Sequence, residues 1–286
     1  MSKHRIQTSA LRGQHFLTDG EVAEKIIAAA GLNADDTVLE IGPGLGVLTR
    51  GLLPLVGRLI AVELDPFFVQ ILKDEFADEK KFEVTEGDIL KMRISDVIAR
   101  AAKQSHEIAT VPPLRGLAMT GGYKIVTNLP YNITSAFFRK FLTVPPHPTT
   151  LTAMIQHEVA ERMTVKGPPL SMLALECQLY AECAYIAKVP GSAFAPPPKV
   201  SSAIVHLRLY GESEFQKKWG IEHGDVEDLL SLASVTFRDP RKKMSNTMGQ
   251  VAEKCRAALA AIGESPDSRP AALSVESWVK FWKLMR

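Results

Sequence analysis

Cysteine is scarce in this chain of 286 residues: Cys177, Cys183 and Cys255 form no CxxC pair and no Cys/His cluster at zinc spacing. That excludes a disulfide framework, fits a reducing cytosol, and leaves the thiols as small buried hydrophobes with no metal implied. Long apolar runs are absent too, none approaching the roughly 18 residues a membrane span needs. Residues 1–13 carry Lys3, Arg5 and Arg12 but no apolar stretch of secretory type. The expectation is a soluble cytoplasmic protein with no membrane partner. Excess charge is equally slight, at +2 with a pI of about 8.3, so nucleic-acid binding is permitted only through a local patch. Internal repeats are not evident. With 46% hydrophobic and 23% charged residues, a proper core is available and global disorder is excluded.

From about residue 21 to 163, short β-branched runs alternate with helical patterns. Strands are expected at 38–42, 58–63, 82–85, 123–127 and 151–155, with Pro66 suited to the first turn of a helix. Such alternation means right-handed crossovers and a parallel sheet covered on both faces, an α/β doubly wound fold. Residues 103–122 read as a long surface excursion and 189–199 as a rigid turn before a strand at 200–209. After Gly211 only amphipathic helices are expected, at 226–237, 245–262 and 274–285. The domains are thus set at 1–210 and 211–286, the second small and all-helical.

Ligands of open α/β sheets lie beyond the carboxyl ends of the strands. Gly42, Glu63, Asp88 and Asn128 each fall at such an end, which points to one shared crevice. In the run 40–46, Glu-Ile-Gly-Pro-Gly-Leu-Gly, glycines let the backbone turn and approach a ligand, and the following helix offers free amides. A dinucleotide is the first rival, but Val47 stands where the full GxGxxG pattern needs glycine or alanine, and Glu40 sets negative charge where a pyrophosphate would lie. A cation such as a sulfonium suits that position better. Glu63 could accept from both hydroxyls of a ribose, and Asp88 from an adenine amine. Their bland alternatives are a solvated strand-end carboxylate and a helix cap.

Asn128-Leu129-Pro130-Tyr131 closes the next strand. The exocyclic amine of adenine is a poor nucleophile because its lone pair is delocalised into the ring. The Asn128 side-chain carbonyl and the Leu129 backbone carbonyl could accept both amine hydrogens and localise that pair. Pro130 stiffens the turn, and Tyr131 can stack on an extruded base. The competing reading is an ordinary turn with Tyr131 in the core.

These residues resemble a known family, the ribosomal small-subunit adenine dimethyltransferases of the KsgA type, over nearly the whole chain. The resemblance is carried by 14–19, 40–46, 62–65, 87–88, 128–131, 154–162, 194–202, and 237–246. It implies a Rossmann-like methyltransferase fold that uses S-adenosyl-L-methionine. His15, Leu17, Gly42, Gly44, Glu63, Asp88 and Asn128 would contact the cofactor, and Phe194 would join Tyr131 in holding the target base. The substrate implied is a pair of adjacent adenosines near the end of small-subunit rRNA, met on an immature small ribosomal subunit, and a monomer is expected. Departures are the Gly-Pro-Pro at 167–169 and the length of 103–122.

Arg238, Arg241, Lys242 and Lys243 cluster in the helical region and are the candidate RNA contacts, against the alternative of a solvated helix face. Arg139-Lys140 and Lys166 are weaker candidates. Two other functions stay open: a large-subunit rRNA adenine methyltransferase of the resistance type, and a ribosome-assembly factor without catalysis.

Overall fold

Central strands of a parallel sheet are buried on both faces and therefore read as continuous apolar runs. In the computed structural model, which describes residues 15–98 and 122–286, those runs become a seven-stranded sheet. In chain order come β1 (Phe16–Leu17), α1 (Gly20–Ala29), β2 (Thr37–Ile41), α2 (Val47–Leu52), β3 (Arg58–Glu63), α3 (Pro66–Glu75) and β4 (Phe82–Glu86). Next are β5 (Lys124–Asn128), α4 (Thr134–Thr143), β6 (Thr150–Gln156), α5 (His157–Thr164), α6 (Met172–Tyr180) and β7 (Ala181–Val189). β8 (Phe194–Ala195) and β9 (Ser202–Leu209) follow. The remaining helices are α7 (Glu212–Trp219), α8 (His223–Phe237), α9 (Met244–Thr247), α10 (Ala252–Ala261) and α11 (Val275–Met285). The excursion expected at 103–122 falls almost wholly outside the described residues.

The sheet runs β4-β3-β2-β5-β6-β9-β7, parallel from β4 through β6, with β9 antiparallel to β6. Strand order reverses between β2 and β5, so the loops after those two strands flank the switch point where such folds hold ligands. The five strand segments expected from periodicity all lie in this sheet, and the fold is the Rossmann-like α/β one. Helix starts carry their own signals. Asp19 accepts from the amides of Glu21 and Val22 to cap α1, and Asp65 caps α3 ahead of Pro66. On α4, Phe137, Phe138, Phe141 and Leu142 are fully buried, and each large side chain so removed from water contributes about 2 kcal/mol before entropy is counted.

The chain divides into two compact units, and the division differs from the expected boundary at 210. One unit holds the described residues up to Ala160 with Ala184–Arg208; the other holds Glu161–Cys183 with Leu209–Arg286. The helical unit thus recruits α6 from before β9. The reason is compositional: α6 buries Ala174, Leu175, Cys177, Leu179 and Tyr180 around most of its circumference, and it packs against α8 and α11. α7 and β7 were not expected. β7 escapes notice because Ala181, already extended at φ −146°, ends α6 and begins the strand with no glycine, proline or asparagine between them. The helix expected over 245–262 is broken at Gly249, where φ is +53°. Segment 189–199 contains the two-residue strand β8, which pairs antiparallel with β1.

Candidate active site

Beyond the carboxyl ends of β2, β3, β4 and β5 lies a cavity of about 1020 Å³ lined by Gly42, Glu63, Asp88 and Asn128 together. The four strand-end residues singled out from sequence therefore meet in one place. The same cavity is lined by His15, Leu17, Gly44, Leu129, Pro130, Tyr131 and Phe194. Hydrogen bonds lace its floor: Gly42 N–H donates to Val62 O at 2.9 Å, Gly87 N–H to Glu63 O at 2.9 Å, and the Thr127 hydroxyl to Ile41 O at 2.7 Å. Thr127, which sequence reading passed over, ties β5 to β2 and so holds the asparagine loop beside the glycine loop.

Glycines at 42, 44 and 46 take φ values of +65°, +54° and +74°. Left-handed backbone costs any other residue about 1–2 kcal/mol. A Cβ added at Gly42 would meet no atom within 4 Å, so that position opens onto free space. The amides of the three glycines are engaged elsewhere. Besides Gly42, Gly44 N–H donates to Glu63 Oε2 at 3.0 Å and Gly46 N–H to Pro43 O at 2.9 Å. The three glycine amides are therefore spent within the protein rather than offered to a pyrophosphate.

The carboxylates around the loop differ in state. Glu40 is 1% exposed and accepts the Thr49 hydroxyl at 2.7 Å. Burial raises its pKa to about 8, against the lowering pull of Thr49 and with a further push from Glu63. At neutral pH it is mostly protonated, so the negative charge expected there from sequence is largely absent. Glu63 is also raised by burial, although Gly44, Leu64 and Asp65 amides all donate to its carboxylate. A carboxylate has about four acceptor sites. Three are taken, which leaves room for about one further hydroxyl rather than two. Asp88 Oδ1 accepts Leu90 N–H at 3.0 Å, and Oδ2 lies 3.4 Å from Lys91 Nζ.

At the end of β5, neither the Asn128 amide nor the Leu129 carbonyl is hydrogen-bonded to another described residue. Leu129 N–H donates to Met154 O at 3.1 Å, which fixes the Asn128–Leu129 peptide ahead of that carbonyl. The Tyr131 hydroxyl lies 2.6 Å from Ser202 Oγ, and its ring is 6.5 Å from that of His15. Phe194 is 4% exposed, packed rather than displayed on an open loop. Its strand pairs with β1, setting Leu17 opposite Phe194, while His15 Nδ1 is 2.8 Å from Pro196 O. The hydrophobic faces of Leu17 and Phe194 share one core cluster, and that burial is why neither ring nor strand stands free.

In the helical unit Arg238, Arg241, Lys242 and Lys243 are all exposed. Lys242 pairs with Asp239 at 3.1 Å and Lys243 with Asp267 at 2.7 Å. Arg241 also acts on the Asp239 carboxylate, through its charge and its backbone amide, whereas Arg238 is in no ion pair among the described residues. Lys140 proves unlike an RNA contact: its ammonium is spent on the carbonyls of Leu90 and Met92.

Residues 6–284 match the family model described as "Ribosomal RNA adenine dimethylase". A "Ribosomal RNA small subunit methyltransferase A" from Dehalococcoides mccartyi is 35% identical over 270 residues, 93% of this chain and 84% of that one. Among solved structures, the 23S rRNA methyltransferase ErmE is 26% identical with a TM-score of 0.68, covering 94% of this chain and 98% of its own. A dimethyladenosine transferase from Plasmodium falciparum, at 24% identity and TM-score 0.72 over 93% of this chain and 96% of that one, shares the fold.

Proposed function

The chain belongs to the ribosomal RNA adenine dimethylase family, and from that premise we propose that it dimethylates two adjacent adenosines near the end of small-subunit rRNA, on an immature small subunit. It is an rRNA adenine dimethyltransferase, and its methyl donor on this reading is S-adenosylmethionine. When bound, that cofactor supplies a methyl group already activated by its sulfonium. The observation that carries the reading is the convergence of Gly42, Glu63, Asp88 and Asn128 on one cavity.

The chain's own residues have distinct tasks. Glu63 accepts a ribose hydroxyl, Asp88 the adenine amine of the cofactor, and His15 and Leu17 cover it. The Asn128 and Leu129 carbonyls accept the two hydrogens of the target amine, which draws its lone pair out of conjugation. Met154 O holds the Asn128–Leu129 peptide between the two acceptors and Pro130 stiffens the peptide that follows, so the gain is one of positioning and electrostatics. Tyr131 and Phe194 hold the extruded base. Arg238, Arg241, Lys242 and Lys243 track phosphates.

A large-subunit substrate is the second reading, favoured by the fold shared with ErmE. Greater identity to a small-subunit enzyme over 93% of the chain supports the first. Labelled cofactor incubated with immature small subunits and with large subunits, followed by nucleoside analysis, separates them. Dimethyladenosine is expected only in the small-subunit RNA, and label confined to the large-subunit RNA would reverse the assignment.

A further inference from the structure

Lys140 lies on α4 three residues after the fully buried Phe137, on the same side of the helix, and is itself partly buried. Its ammonium donates to Leu90 O at 3.1 Å and to Met92 O at 2.6 Å. Those carbonyls belong to the turn that Asp88 begins. Asp88 holds that turn from within: its side chain accepts Leu90 N–H, and its carbonyl accepts Lys91 and Met92 N–H at 2.9 and 3.1 Å. The turn is tight, since a Cβ at Gly87 would come within 2.5 Å of Met92 Sδ. At the other end, α4 is anchored to the tetrapeptide by the Thr134 hydroxyl, which donates to Tyr131 O at 3.0 Å. Lys140 also feels the Asp88 charge, which offsets part of the desolvation that lowers its pKa.

We propose that Lys140 is a positioning residue that fixes the Asp88 turn relative to the Asn128–Tyr131 loop, and thereby sets the distance between the cofactor's adenine end and the acceptor base. This rests on the reading of Asp88 as the acceptor for the cofactor's adenine amine. A single ammonium with two carbonyl partners is suited to the task. It bridges a helix and a turn that have no mutual ladder, and partly buried charge-assisted bonds hold better than exposed ones. Lys140 reaches neither the cavity lining nor the reacting atoms, so its effect is indirect.

The test uses the full chain and two probes, S-adenosylhomocysteine and S-inosylhomocysteine, the second carrying a carbonyl in place of the amine. Calorimetric affinities are measured for wild type, Lys140→Met and Lys140→Arg, with thermal melting to verify folding. Lys140→Met is expected to weaken S-adenosylhomocysteine about tenfold, equivalent to about 1.4 kcal/mol. S-inosylhomocysteine should weaken far less, Lys140→Arg should restore most of the loss, and salt dependence of RNA binding should not change. Equal loss for both probes in a folded variant, or no loss for either, would overturn the role. A wild type that binds both probes alike would instead remove the adenine reading of Asp88, and this proposal with it.

Discussion

Replacing Glu40 by glutamine isolates the energetic consequence of burying one carboxyl under the cavity. Glu40 is 1% exposed, and its pKa stands at about 8 rather than 4.5, chiefly through burial. Folding therefore takes up a proton at this position. Stability is unaffected below about pH 4.5, falls as the unfolded chain ionises, and levels off above about pH 8. At about 1.4 kcal/mol per pH unit, the loss between pH 5 and 8 is on the order of 3 kcal/mol. That is a sizeable part of the 5–15 kcal/mol, roughly, that holds a domain folded. Glutamine keeps an acceptor for the Thr49 hydroxyl and does not titrate, and its amide hydrogens can face the cavity that Glu40 lines. Glu63, raised in the same direction, titrates in both proteins, so only its coupling to Glu40 enters the difference. All three tryptophans lie in the helical unit, so fluorescence would report on the wrong half. Amide hydrogen exchange of β2 from pH 5 to 8, corrected for intrinsic rates and measured without cofactor, is the suitable assay. The variant's stability advantage should widen by about 3 kcal/mol across that range. Parallel curves for the two proteins would refute burial as the source of the shift.

Asn128→Ala should lower kcat by roughly 10²–10³, as loss of one aligned polar group does, while S-adenosylhomocysteine affinity stays within a few-fold; single-turnover transfer and calorimetry measure the two. Tyr131→Phe keeps the ring but strands the fully buried Ser202 hydroxyl, so urea unfolding should show a loss of about 1–3 kcal/mol with turnover nearly intact, whereas Tyr131→Ala should lose turnover as well. Gly42→Ala should cost about 1–2 kcal/mol from its φ of +65° and should also weaken cofactor binding, since the new methyl enters open cavity; unchanged affinity would mean the cofactor lies elsewhere. Arg241→Ala should flatten the salt dependence of RNA binding more than Lys243→Ala does, because Asp267 already neutralises Lys243; equal slopes would contradict that ordering.

Much of the architecture was legible in one dimension. Runs such as Leu59-Ile60-Ala61-Val62 are apolar throughout because both faces of a central parallel strand are covered, and that pattern survives without any partner being known. The residues after them, Gly42, Glu63, Asp88 and Asn128, stand out because polar and glycine residues break an apolar run. Alternation of strand and helix then implies that their ends share one edge. Local chemistry therefore determined the crevice and the residue types within it.

What sequence could not determine depends on partners far apart along the chain. The neutral state of Glu40 follows from the dielectric around it, the partial occupation of Glu63 from three amides in two loops, and the pairing of Leu17 with Phe194 from a strand addition across the fold. Lys140 beside Arg139 reads as one of two surface cations, yet packing of α4 turned its charge inward onto two carbonyls. α6 looked like part of the first domain by position and went to the second because its apolar circumference needed helices around it. Periodicity reports which side of an element wants burial; only tertiary structure decides what that side meets, and hence its charge, its hydrogen bonds and its task.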